Sequence, residues 1–256
     1  MTPALQQQLK SLRLSGLATS LPVRLQEAIA AQLSHLEFLE IILQDEARVR
    51  KDRLRNRRIK AAGFREIRRL DQFDWRFNPK INRAAIYELA AGRYLDEGRD
   101  ALMVGPPGVG KSHLAQALGY EAILQGRTVR YRSIFDVVAD LKAAEILEDD
   151  PRCLAGYLKP DLLIIDDMGI KHLPRRSGEY LFEIVMRRYE LRSTLMTSNR
   201  PVEEWGKLIG DVPAAGAILD RFLHHAEIIE MPGRSYRMKQ RAEKSVRSEG
   251  GKTDAK

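Results

Sequence analysis

Eight consecutive residues carry the clearest chemistry in the chain: Gly105-Pro106-Pro107-Gly108-Val109-Gly110-Lys111-Ser112. Their spacing is that of a phosphate-binding loop. Glycines let backbone N–H groups turn toward an anion, and a helix that starts at the loop adds its dipole to the same end. In that pattern Lys111 reaches the β- and γ-phosphates of a nucleotide, and the Ser112 hydroxyl ligates magnesium. His113 follows directly and is expected beside the nucleotide on the helix, with no catalytic role. A nucleoside triphosphate with Mg2+ is the ligand pair this chemistry calls for.

A second group lies 55 and 56 residues beyond Lys111, where the apolar run Leu162-Leu163-Ile164-Ile165 ends in Asp166-Asp167. Carboxylates at the carboxyl edge of a buried strand sit on the ligand side of an α/β sheet. Asp166 is therefore the candidate for positioning magnesium, alongside Ser112, and Asp167 the candidate for orienting or deprotonating an attacking water. A loop-start cap is the other reading of Asp167. Thr197-Ser198-Asn199 closes another apolar run; the Asn199 amide suits holding a water or sensing the γ-phosphate, or else only turns the chain before Arg200-Pro201. Arg221 is a candidate for donation to a neighbour's triphosphate, with an ion pair to Asp220 as its rival. His224 and His225 show no ligand partners at metal-site spacing and read as surface or packing residues.

These residues need a scaffold that brings distant segments together. From Asp100 onward, short apolar strands alternate with helical stretches: strands at 101–104, 128–131, 161–165, 194–197 and 227–231, helices at 112–124, 134–144, 178–191 and 217–223. That alternation predicts a parallel α/β sheet. Before it, residues 82–94 read as a helix. The segment around Phe73, Trp75 and Phe77 reads as a short extended stretch or an aromatic plug, with contact to an adenine as a further use. Pro232-Gly233 is expected to end the ordered core.

The first 60 residues are helical in pattern. Leu9, Leu12 and Leu14 precede a break at Ser15-Gly16, and a second helix is expected from Pro22, in its first turn, to Gln32. Ser34 and Glu37 have capping-box spacing. They open a long helix with the apolar stripe Leu36, Leu39, Ile42, Leu43 and Ala47, which continues to Ala62 and stops at Gly63. The expected division is a helical domain over 1–66, an ATPase domain over 67–241 and a flexible basic tail over 242–256.

Charge sharpens this division. The 256 residues carry a formal charge of +8, yet residues 47–69 alone hold eleven Lys or Arg against Asp52 and Glu66. The tail from Arg234 holds eight basic and three acidic residues, so the other 210 residues are net acidic at −6. Concentrated basic charge attracts phosphate backbones, although such runs are also ordinary solvated helix faces. Arg53, Arg57, Arg58 and Lys60 are the first candidates for DNA contact. Arg130, Arg132, Arg175 and Arg176 line a DNA path or form surface ion pairs. One cysteine, Cys153, makes no intramolecular disulfide, and no apolar run is long enough to span a bilayer, so a cytoplasmic protein is expected.

Together the phosphate loop, Leu162–Asp167, Gly178–Glu183, Thr197–Arg200, Ala217–Arg221 and the opening Leu12–Leu17 resemble the IstB-like family. These are AAA+ ATPases that help insertion-sequence transposases and are related to the helicase loader DnaC. The resemblance implies an AAA+ core behind an N-terminal helical domain used in assembly. It also implies homo-oligomers on duplex DNA and delivery of that DNA to a cognate transposase. Asn199 then resembles the first sensor, and Arg221 an arginine finger acting in trans. The common AAA+ pattern ends its acidic strand in Asp-Glu where this chain has Asp166-Asp167, and the stretch after Met231 is too short for a full C-terminal lid. Two rival functions remain: a helicase loader acting on single-stranded DNA, and an ATP-gated DNA scaffold with little turnover.

Overall fold

A computed structural model of the chain describes residues 1–147, 150–170, 173–174, 176–209 and 212–239. They form two compact units, Met1–Arg58 and Ile59 onward. The expected tail, 242–256, lies outside the described residues, as does Arg175.

The first unit is helical. α1 (Pro3–Ser11) and α2 (Ser15–Ala30) precede α3 (His35–Ala62). Its small core joins Leu9, Leu17, Leu21 and Ile42, with Leu14, Ala18 and Phe38 at its edge. α2 starts earlier than Pro22, which falls inside the helix. Gly16 is no breaker: a Cβ there would come 2.8 Å from Val49 Cβ, so its role is close approach. The Leu17 N–H, free at the start of a helix, donates to the buried Glu46 carboxylate at 2.9 Å. Ser34 and Glu37 form the expected capping box, with Ser34 N to Glu37 Oε2 at 2.8 Å and Glu37 N to Ser34 Oγ at 3.3 Å. The apolar stripe does not bury as a unit: Leu36, Leu39 and Leu43 are exposed, and Ile42 alone among the stripe's large residues enters the core.

The last turn of α3 belongs to the second unit, where Ala62 is fully buried and Ile59 packs against the core. The division therefore falls earlier than the expected 66/67, because the apolar end of the basic helix is part of the ATPase core. A 3-10 turn, Leu70–Gln72, leads to α4 (Arg83–Ala90) and the short α5 (Arg93–Asp96). Then come β1 (Ala101–Val104), α6 (Lys111–Leu124), β2 (Val129–Ser133), α7 (Ile134–Ile146), α8 (Asp150–Leu158), β3 (Leu162–Met168), α9 (Ser177–Arg188), β4 (Ser193–Ser198), α10 (Trp205–Ile209), α11 (Val212–His224) and β5 (Glu227–Glu230). α8 was not legible as a helix; it carries Pro151 as its second residue, where a missing N–H costs nothing.

The strands form one sheet in the order β2-β3-β4-β1-β5, and every pair is parallel. Alternate residues feed two cores. Met103, Tyr131, Ile164 and Leu195 meet α4 and α6 on one face, while Leu102, Leu163, Ile165 and Met196 meet α7 to α11 on the other. A strand covered on both faces has no polar side, which is why residues 162–165 read as an unbroken apolar run.

Candidate functional site

The carboxyl ends of β1, β3 and β4 open on a cavity of about 970 Å³. On one wall the loop between β1 and α6 folds as a phosphate cradle. Gly108 and Gly110 have φ of +81° and +110°, and there is no room for side chains: a Cβ at Gly108 would lie 2.2 Å from Ser235 Oγ, and one at Gly110 would lie 2.5 Å from the Phe73 ring. Lys111 is buried, and its Nζ donates to the carbonyls of Gly105 and Pro106 at 2.6 and 2.8 Å. Burial pushes this ammonium down to about 8. Among the described residues it has no carboxylate ion pair, so its charge is held ready on weak acceptors. Pro107, Val109 and His113 also line the cavity. His113 Nε2 lies 3.2 Å from Arg69 O, its ring stands edge-on to Phe73, and burial lowers its basicity.

Asp166 lies beneath Ser112 with no exposed surface. Ser112 Oγ donates to it at 3.0 Å, and the hydroxyls of Tyr131 and Thr197 donate to it as well. Three hydroxyls on one buried carboxylate orient it without neutralising it. Ser112 and Asp166 thus present a hydroxyl and a carboxylate oxygen together, the hard oxygen pair that magnesium prefers.

Asp167 is displaced from the strand's regular course. The β3–β4 register shifts between Ile165 and Met168, and Asp167 takes a φ of +68°, so β3 continues past both carboxylates instead of ending at them. A bulge of this kind re-aims one side chain. Asp167 lines the cavity, and its carboxylate pairs with Arg65 Nη2 at 2.8 Å. Burial and the neighbouring Asp166 charge raise its pKa above the ordinary carboxylate value, against the downward pull of Arg65. Asn199 also lines the cavity, its backbone N–H tied to Met168 O at 2.9 Å. The turn into Arg200 is closed by Ser198, whose Oγ accepts from Arg200 N at 3.1 Å.

A strap with no signal in the sequence pattern crosses the phosphate loop. Past Pro232-Gly233, the expected end of the ordered core, the chain stays pinned: Tyr236 N donates to Gly108 O at 2.9 Å. Asn78 holds the same segment by two bonds of 3.0 Å to the backbone of Arg234. Tyr236 meets Phe77 edge-on, and Arg237 lines the cavity. The aromatic triplet divides, with Phe73 and Phe77 at the cavity and Trp75 against the core. Tyr131, Thr197, Arg65 and Arg237 carry no local sequence signal for the site: sheet order brings Tyr131 and Thr197 to it, the strap brings Arg237, and the segment after α3 brings Arg65.

Other candidates lie elsewhere. Arg221 is exposed, paired with Asp220 and outside the cavity lining. Arg130 and Arg132 share Asp140, each at 3.5 Å, and Arg130 stacks on Tyr157, so their charge is met inside the chain. Arg176 pairs with Glu145 and Glu179. In the first unit Arg53 donates to Ser15 Oγ, and Arg57 is exposed. Lys60, in the second unit, is exposed too, whereas Arg58 is half-buried and engaged in contacts.

Known proteins match this arrangement. Residues 7–244 match the family model described as IstB-like ATP binding protein. An insertion sequence IS21 ATP-binding protein of Pseudomonas aeruginosa is 34% identical over 238 residues, 93% of this chain and 90% of that protein. An insertion sequence IS5376 ATP-binding protein of Geobacillus stearothermophilus is 36% identical over 82% of this chain and 83% of its own length. Among solved structures, the DnaC helicase loader is similar over 59% of this chain and 89% of its own, with 26% identity and a TM-score of 0.51. AMPPCP-bound DnaA from Aquifex aeolicus is similar over 71% of this chain and 56% of its own, with 25% identity and a TM-score of 0.56. The chain belongs to the family of IstB-like ATP-binding proteins and is an ATPase of the AAA+ P-loop fold.

Proposed function

We propose that this ATPase is the DNA-binding helper of an insertion-sequence transposase, assembling on duplex target DNA and delivering it to the transposase, with ATP hydrolysis as the switch. The observation that carries the nucleotide part is the buried Asp166 carboxylate, touching Ser112 of the phosphate loop and oriented by Tyr131 and Thr197. In this reading Lys111 leaves the Gly105 and Pro106 carbonyls for the β- and γ-phosphates, and Ser112 with Asp166 holds Mg2+. Bound Mg2+ supplies neutralisation of the charge that builds on the phosphate oxygens. Asp167, once parted from Arg65, orients the attacking water together with Asn199. Arg237 faces the same phosphates from the strap, and Phe73 and Phe77 border the place for the base.

The DNA part is supported by the basic run at 47–69 and by relatives named for their insertion sequences. Exposed Leu36, Leu39 and Leu43 suit assembly of the helical unit. Arg221, exposed and outside its own chain's cavity, suits donation to a neighbour's ATP, which ties turnover to assembly. The helicase-loader reading draws on the likeness to DnaC; tighter binding to single strands than to duplex would favour it.

A mixing experiment tests the arrangement. Lys111→Ala and Arg221→Ala chains are each expected to be inactive on duplex DNA. Mixed together they should regain part of the wild-type rate, because an Arg221 of one chain then serves an intact phosphate loop in another. Full activity of Arg221→Ala alone, or no recovery in the mixture, would contradict an arginine acting in trans.

A further inference from the structure

The ends of α9 and α11 bring Glu190 to two adjacent histidines that lie 34 and 35 residues further along the chain. Glu190, His224 and His225 each place a ligand atom within 4.8 Å of the others. His224 is the last residue of α11. His225 follows it, and Glu190 sits two residues beyond α9 in a left-handed turn with a φ of +56°. Histidines 224 and 225 therefore have the partner that was missing when their spacing was read along the chain.

Contacts already hold the three groups near one another. Tyr189 Oη lies 2.7 Å from His224 Nδ1. With Tyr189 Oη accepting from Nδ1–H, Nε2 keeps its lone pair for a cation, the outer-shell arrangement common around metal-bound histidine. The His225 Nε2 atom already lies 3.3 Å from Glu190 Oε1. The two imidazole rings lie 3.9 Å apart and both stack on the Tyr189 ring. Drawing the ligand atoms to the roughly 3.3 Å edge of a tetrahedron with bonds of about 2.0 Å needs only rotation of exposed side chains.

We propose that Glu190, His224 and His225 bind one divalent first-row transition-metal ion, with zinc the best fit, at the joined ends of α9 and α11. Two imidazole nitrogens and a carboxylate oxygen, with a fourth position left to water, form a zinc donor set; magnesium and calcium favour all-oxygen sites. The ion ties the turn after α9 to the end of α11 through Glu190 and the histidines. Its neighbour is Arg221, whose guanidinium lies over the same Tyr189 ring at 5.8 Å. The metal therefore stiffens the platform that carries the proposed trans-acting arginine, and that consequence alone rests on the reading of Arg221 above.

The test is metal binding, independent of ATP turnover. Untagged full-length protein, stripped by chelator and kept in excess Mg2+, is titrated with Zn2+ against a chromogenic indicator and separately with Co2+. We expect one equivalent of Zn2+ bound with a micromolar dissociation constant, and visible ligand-field bands from the Co2+-loaded chain. Glu190→Gln, His224→Ala and His225→Ala should each weaken binding tenfold or more at an unchanged melting temperature of the metal-free protein. His225→Asn provides a milder second variant. No bound equivalent would overturn the proposal. So would binding that survives all these substitutions, or that disappears instead with Cys153→Ser. A failed DNA or ATPase assay leaves this result untouched.

Discussion

The two edges of one sheet hold two clusters of buried charge with opposite fates. At the amino edge Arg188, 1% exposed, reaches across the starts of β3 and β4. Its Nη1 donates to the carbonyls of Tyr157, Leu158 and Pro160 at 3.0, 3.2 and 2.9 Å, its Nη2 to Ser193 O, and its Nε to Thr194 Oγ1 at 3.1 Å. Asp100, beside it, accepts from Thr194 N at 2.6 Å. Burial drives both toward neutrality, the guanidinium down to about 10 and the carboxyl up to about 7. At the carboxyl edge Lys111, Asp166 and Asp167 are also buried or nearly so, yet they adjoin a cavity and keep coordination capacity unspent. Perturbed ionisation marks both places. What separates function from structure here is whether the partners of the charge come from the chain or from a ligand.

The largest effect should come from the closed cluster. Arg188→Met leaves a fan of buried carbonyls without donors and should cost about 3–5 kcal/mol of unfolding free energy, read by denaturant melts. If the loss stayed below about 1 kcal/mol, the amino edge would not be a structural clamp. In the open cluster, Lys111→Ala should lower ATP turnover by at least about 100-fold while moving stability by less than about 1 kcal/mol. A large stability loss with turnover retained would reverse the two roles.

A smaller effect distinguishes the edges by pH. The Asp100 carboxyl titrates near 3.8 when free and near 7 in the folded chain. Between those values the folded state binds more protons than the unfolded one, so stability falls as pH rises from 4 to 7 and the loss is complete above 7. Asn keeps an oxygen for Thr194 N and cannot ionise. Asp100→Asn should therefore gain on the wild type as pH rises, with no gain at pH 4, a steady increase between pH 5 and 7 and no further increase above about pH 8. An offset that does not change with pH would show that Asp100 does not titrate in this window. The smallest effect concerns DNA. Replacing Arg57 and Lys60 with Ala should lower the salt slope of duplex binding by about two, while Arg132→Ala, whose charge is already met by Asp140, should leave it unchanged.

The sequence made one part of the site plain and hid another for a physical reason. The phosphate loop and the start of α6 are contiguous in the chain, so local pattern alone locates Gly105 to Ser112. Asp166 is legible as the end of a buried apolar run. Its other holders are not: Tyr131 comes from β2 and Thr197 from β4, and only strand order makes them neighbours of β3. Arg65 and Arg237 reach the cavity from segments with no periodic signal. The helical stripe at Leu36, Leu39 and Leu43 shows the converse limit. Periodicity identifies an apolar face but not what covers it, and Ile42 with Phe38 does the packing instead.

The proposed switch requires that occupation of the open cluster control DNA binding. Its most direct test is the affinity of fluorescent duplex DNA for wild-type and Lys111→Ala protein, with and without Mg-ATP, at one salt concentration. Mg-ATP should tighten wild-type binding by tenfold or more and leave the variant at the nucleotide-free affinity. Equal wild-type affinity with and without Mg-ATP, or full tightening in the variant, would contradict it.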